Sequence, residues 1–144
     1  MTSDIQTIQD EIIHEFSQLP DWFAKYEYLI NLGKSLNTLD ESLKTEKNTL
    51  SGCQSTVWIT ATLQNNTIHY EADSDSLIVK GMLSLLLNVF NNQTPETIKN
   101  ADLYFIESTG LDSHLSPSRV NGLFSIINHI KSTAEKMTIE KKMQ

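Results

Sequence analysis

The strongest constraint on this chain's fold is a change in the spacing of its apolar residues. Over residues 4–33 they recur every three or four positions. Across 57–72 they alternate with polar ones, and from 77 onward the longer spacing returns. Helices face a core at a period near 3.6 residues and half-buried strands at a period of two. One short hairpin set among helices is therefore predicted. That is an α+β fold with a small antiparallel sheet packed with helices.

The local signals fill in this outline. Ile5, Ile8, Ile12, Phe16 and Leu19 share one helical face. Ser3 or Asp4 caps that helix, and Pro20 stops it. A second helix starts at Asp21, with Trp22, Phe23, Tyr26, Leu29 and Ile30 as its stripe. Gly33 reads as its left-handed C-terminal residue. Residues 37–50 read as a polar loop leading to Gly52-Cys53. Val57, Ile59, Ala61 and Leu63 then alternate with Trp58, Thr60 and Thr62. Gln64-Asn65-Asn66 is turn material, and 67–72 reads as the returning strand.

Asp73-Ser74-Asp75-Ser76 reads as the opening of a third helix, its acids suiting the positive end of the helix dipole. Leu77, Ile78, Met82, Leu85, Leu86 and Val89 cover most of that helix's circumference, so it is predicted to be central. Thr94-Pro95 marks another helix start. Residues 102–110 fit either a short strand or a helical turn. Ser116-Pro117 opens the last helix, faced by Val120, Leu123, Phe124, Ile126, Ile127 and Ile130. Lys131 and Lys136 lie toward its C-terminal end, and the polar stretch after Met137 reads as frayed. The whole, 1–144, is predicted to be a single domain with its core over about 5–135.

Scarcity bounds the function. The net charge is −7, which disfavours nucleic acid, since phosphates need a basic face. There is one cysteine, Cys53. It excludes an intramolecular disulfide, a Cys-x-x-Cys redox pair and an all-cysteine metal site within one chain. A reducing, cytoplasmic compartment is expected. The N-terminus shows no basic segment before an apolar run, and the longest apolar stretch, around 82–89, is too short for a membrane span.

Several residues are candidates for chemistry. Cys53, beside Gly52, is either a nucleophile on an approachable loop or a small buried hydrophobe at a strand start. His14 and His129 read as surface residues, and His69 as a cross-strand neighbour. His114 lies just ahead of Arg119, the only arginine. Arg119 either serves a site through its planar fork or makes a structural ion pair. Asp73 and Asp75 are metal ligands, a paired acid and base, or helix caps. No Cys-His-Asp triad and no metal-ligand spacing emerges.

Taken together, these residues form a pattern. Gly52-Cys53-Gln54-Ser55 with Val57-Trp58, Ala72-Asp73-Ser74-Asp75, Ile78-Val79-Lys80-Gly81 and His114-Leu115-Ser116-Pro117-Ser118-Arg119 with Asn121-Gly122 stand in one order. Asp21-Trp22, Lys25-Tyr26 and Leu32-Gly33 precede them. Over about residues 5–135 the chain resembles the SufE family of sulfur acceptor proteins. It departs in lacking prolines at 39–47, where family members often carry them.

The resemblance implies a fold shared with U-type iron–sulfur scaffolds. It also implies a function. Cys53 accepts sulfane sulfur from a PLP-dependent cysteine desulfurase (SufS-like), stimulates that enzyme, and passes sulfur to a scaffold complex (SufBCD-like). The PLP belongs to the partner, and neither a cofactor nor a metal is expected on this chain, which is not an independent catalyst. Gly52, Gln54, Ser55, Asp73, Asp75, His114 and Arg119 are implied as support or docking residues, with Asp73 and Asp75 shaping the turn next to the cysteine loop. A monomer or a homodimer fits equally. The alternatives are a paralogous acceptor for another desulfurase, a metal scaffold of the related fold, and an allosteric activator that transfers no sulfur.

Overall fold

The computed structural model describes residues 4–51 and 54–142. Two aspartates start its first helices. The Asp4 carboxylate accepts the Thr7 N–H at 2.7 Å and opens α1 (Ile5–Ser17); the Asp21 carboxylate accepts the Ala24 N–H at 2.8 Å and opens α2 (Trp22–Ser35). α1 buries Ile8, Ile12 and Phe16 as its spacing predicts, but closes at Ser17, ahead of Pro20. Phe23 departs from the predicted stripe of α2 and is 79% exposed. It sits one residue past the face that carries Trp22, Tyr26 and Leu29 toward the core.

Gly33 is not a left-handed cap. It lies inside α2 and is buried where α2 crosses α3 (Leu77–Phe90). A Cβ on Gly33 would fall 2.4 Å from the Leu77 carbonyl oxygen, and one on Gly81 would fall 2.2 Å from the Leu29 carbonyl oxygen. The two glycines let the helix backbones touch. α3 is the central helix, with Met82, Leu83, Leu86, Val89 and Phe90 buried.

The hairpin pairs β1 (Val57–Gln64) with β2 (Thr67–Ser74), from Val57 opposite Ser74 to Gln64 opposite Thr67. Asn65 and Asn66 turn it with φ of 51° and 67°, the pair of positive values that a tight two-residue hairpin requires. β2 lays Ile68, Tyr70 and Ala72 on the core. Its outer edge is covered: Ile68 exchanges bonds of 2.9 Å with Gln93 and Asn92, and the Asn91 side chain accepts the Tyr70 N–H and donates to the Tyr70 carbonyl.

Asp73 and Ser74 end β2 rather than opening α3. Ser76 is the cap, its hydroxyl accepting the Val79 N–H. Thr94 and Pro95 start α4 (Pro95–Lys99) as predicted. The ambiguous segment is helical, α5 (Phe105–Thr109). Its start is set by a distant amide: buried Gln9 of α1 donates to the Asp102 carbonyl at 3.0 Å and accepts the Phe105 N–H at 3.1 Å. Gly110, at φ 82°, turns the chain into α6 (Leu111–His114).

The last helix, α7 (Pro117–Lys142), runs on past Met137, where its polar composition predicts fraying. Ala134 is buried and Met137 packs against the core, so the helix keeps an apolar anchor into its last third. The Tyr70 hydroxyl donates to the Ile130 carbonyl at 2.8 Å and ties the sheet to α7. Among the described residues, no helix is long and apolar enough to cross a membrane.

Candidate functional site

Gly52 and Cys53 lie outside the described residues, so the site is built from what flanks them. On the N-terminal side the loop 37–50 is ordered by two short 3-10 turns, Glu41–Leu43 and Glu46–Asn48. Thr49 bridges Trp58, and the Leu50 N–H donates to the Val57 carbonyl at 2.8 Å. On the C-terminal side the clamp begins at Thr56 rather than at exposed Gln54 or half-buried Ser55. The Thr56 N–H donates to the Asp75 carboxylate at 3.1 Å, and its carbonyl accepts from the Ser74 hydroxyl at 2.7 Å. The chain is thus fastened to the sheet at Leu50 and again at Thr56, with Cys53 between them in sequence.

Asp73 anchors the approach to this neck. Its carboxylate is buried, 3% exposed. It accepts N–H bonds from Leu39 at 3.3 Å and Ser74 at 2.8 Å. It also pairs with Lys44 at 3.3 Å and Lys80 at 3.4 Å. Burial by itself pushes the acid's pKa up, but the two N–H donors and the two ammonium groups outweigh it and hold the carboxyl below its ordinary value. Leu39, buried beside it, brings the loop onto the core. The readings of Asp73 and Asp75 as helix caps are therefore corrected. Each carboxylate binds the backbone of one arm of the cysteine loop instead.

His114 belongs to a second cluster, which no described contact extends to Arg119. The His114 ring stacks on Trp22, centroids 4.0 Å apart and 11° from parallel. Its Nδ1 lies 3.0 Å from the Gly110 carbonyl, and its own carbonyl accepts from the Tyr26 hydroxyl. Lys25 also joins this stack, its ammonium 4.8 Å from the Trp22 ring. A Cβ on Gly110 would press on Trp22 at 3.1 Å. His114 is thus the last residue of a helix, not a free loop histidine. Arg119 is exposed on the first turn of α7, where its N–H meets the Ser116 hydroxyl at 3.4 Å. Among the described residues it forms no ion pair. The sequence separates the motifs that begin at Asp21 and His114 by most of the chain, and the fold makes them one patch. No described contact joins this patch to the Asp73 cluster.

The other histidines are scattered. His14 and His69 are exposed, while His129 is half-buried and its pKa is lowered by burial and by Lys136. Among the described residues no three His, Cys, Asp or Glu side chains are grouped to hold a metal ion. Sequence reasoning missed Lys44, and it named Trp58 within the strand and the motif without a role beside Asp73. Lys44 binds Glu41 at 2.9 Å and stands 5.1 Å from the Trp58 ring while it pairs with Asp73. A lysine in a polar loop carries no local signal of such a role.

Comparison with known proteins gives a consistent result. The SufE family, described as an Fe-S metabolism associated domain, matches residues 10–134. An uncharacterized SufE-like protein of Rhizobium meliloti is 37% identical over 134 residues, covering 90% of this chain and 96% of that one. A second, from Synechocystis, is 38% identical over 124 residues, covering 86% and 78%. A hypothetical protein from Thermus thermophilus, solved in solution, has the same fold. Its TM-score is 0.73 at 17% identity, over 90% of this chain and 94% of that one.

Proposed function

The chain belongs to the SufE family, a family associated with Fe-S metabolism, and from that membership we propose that it accepts sulfane sulfur on Cys53 from a PLP-dependent cysteine desulfurase. The Cys53 thiolate attacks the terminal sulfur of the desulfurase persulfide. A new sulfur–sulfur bond forms on Cys53, the bond inside the donor persulfide breaks, and the desulfurase thiolate leaves with the electron pair. Cys53 then carries a persulfide and passes it to an iron–sulfur scaffold complex. The partner's PLP generates the sulfur, and this chain contributes the acceptor thiol and the docking surface. The reaction fits a reducing cytoplasm.

The observation that carries this reading is the anchoring on both sides of Cys53. Leu50 and Thr56 are each tied to the sheet, so a docked partner meets a tethered acceptor. A single cysteine also suits a carrier, because no second thiol can resolve the persulfide and release sulfide. His114, on the patch with Trp22, and Arg119, exposed on the first turn of α7, contribute to docking.

Intact-mass analysis after incubation with a cysteine desulfurase and cysteine tests the reading. Wild type gains one sulfur atom and Cys53→Ser gains none. A wild-type chain that gains no sulfur overturns it. A Cys53→Ser chain that still stimulates the desulfurase fully shows an activating module instead.

A further inference from the structure

We propose that the outer edge of β1 pairs with the same edge of a second copy of this chain, joining two hairpins into one antiparallel sheet. Directly opposite residues of an antiparallel pair either exchange both backbone bonds or both turn their groups outward. On β2, Ile68 and Tyr70 turn theirs outward, to Gln93, Asn92 and the Asn91 amide. Leu63 and Ala61 stand opposite them, so their N–H and C=O groups point away from the hairpin at the other edge. Val57 follows the same phase: its carbonyl, on that edge, accepts the Leu50 N–H at 2.8 Å. Among the described residues, no backbone bond reaches Ala61 or Leu63 from that side.

The two edges of the sheet differ in kind. β2 carries His69, Glu71 and Asp73, and its edge is covered by 91–93. β1 reads VWITATLQ, rich in strand-forming residues and without a charge or a proline. Charges and prolines are the residues with which proteins blunt an exposed strand edge. The open end of β1 also carries Leu63, 36% exposed on the face that buries Val57 and Ile59.

A second copy fits this edge by symmetry. A twofold axis lays a strand antiparallel to itself, so each outward N–H meets a carbonyl of the same stretch. Thr49, bridged to Trp58, closes the near end of the edge and leaves 60–64 open. The midpoint of that stretch is Thr62. Around it, Ala61 of one copy faces Leu63 of the other and exchanges both bonds. Thr62 faces Thr62, and Thr60 faces Gln64. No like charges are opposed along the seam, although each chain carries −7. Leu63 gains cover beside Ala61 of the other copy. The pairing is independent of Cys53 and of sulfur acceptance. The edge is short, so the dimer is reversible, with a dissociation constant on the order of 100 µM.

Sedimentation equilibrium tests the pairing over about 10 µM to 1 mM, with a reductant present to keep Cys53 from forming a disulfide. The wild-type mass is expected to rise from that of one chain toward that of two. Thr62→Lys sets two ammonium groups opposite each other and weakens the dimer about tenfold or more. Ala61→Pro removes an outward N–H that the hairpin does not use, and abolishes the dimer. Thr62 is exposed, so Thr62→Lys keeps the test valid if Ala61→Pro does not fold. The register is read with cysteines placed singly in a Cys53→Ser chain under a mild oxidant. Thr62→Cys cross-links about tenfold faster than Thr60→Cys, because only position 62 meets itself at the roughly 4.5 Å between Cα atoms that a disulfide can span. A wild-type chain that stays monomeric throughout overturns the proposal. So do a dimer that Thr62→Lys leaves intact and equal cross-linking at positions 60 and 62.

Discussion

Gly81→Ala tests the packing that holds the site's platform together. The added Cβ would lie 2.2 Å from the Leu29 carbonyl oxygen, 2.8 Å from its carbon and 3.2 Å from its Cα. All three atoms are backbone of α2, so no rotamer change relieves the contact. Carbon atoms in contact sit about 3.5–4 Å apart, so α2 must retreat from α3 by about 1 Å or more. Overpacking of this kind costs about 3 kcal/mol, the upper end of its range. Replacing glycine by alanine inside a helix returns about 1 kcal/mol. The expected net loss is about 2 kcal/mol, or about 4–8 °C in the melting temperature of a domain this size.

The assay is thermal and urea unfolding followed by helical circular dichroism. A Gly81→Ala chain as stable as wild type, or more so, refutes the crossing. Gly33 gives a second discriminating result. A left-handed cap accepts asparagine at small cost, whereas a buried helix crossing does not. Gly33→Asn is therefore expected to destabilise at least as much as Gly33→Ala. The double alanine variant should lose less than the sum, since one retreat of α2 relieves both contacts.

Asp73→Asn is expected to destabilise the chain at neutral pH. Because the folded carboxyl is held below 3.8, its stabilisation is complete above that value and is lost as pH falls through the lower folded pKa. The difference between variant and wild type in urea midpoint should therefore shrink in that acid window, and a difference constant with pH counts against the ion pairs. His114→Ala removes the ring stacked on Trp22. It should cost about 1 kcal/mol and shift tryptophan emission, and an unchanged spectrum counts against the stack. Tyr70→Phe deletes the buried hydroxyl that binds the Ile130 carbonyl and should cost about 1 kcal/mol in urea unfolding; no change means the sheet is not tied to α7 there.

Elements with a local cause can be read directly from the chain. Asp4, Asp21, Thr94 and Ser76 cap helices because a short polar side chain reaches the N–H three residues on, whatever surrounds it. Asn65-Asn66 turns the hairpin because both residues tolerate positive φ. The alternation at 57–63 places β1, and the apolar run at 77–90 marks the central helix. The order of the motifs suffices to indicate the family, and the comparisons show it.

Other features depend on residues far apart in the chain. Gly33 reads as a cap until Gly81 is brought against the same crossing. Residues 105–109 become helical with Gln9, on α1, satisfying the groups at their start. The acids at 73 and 75 look like helix caps by spacing, and only the resemblance points them to the turn beside the cysteine loop; the partners that fasten them there, Lys44, Lys80 and the backbone of Leu39 and Thr56, come from the fold. His114 gains its role from Trp22, near the other end of the chain. Local order thus specifies where the chain turns and where its period changes, because those choices are settled within a helical turn or a hairpin. Folding in three dimensions selects which polar groups are buried together, because desolvation and charge pairing act through space and leave no period to read.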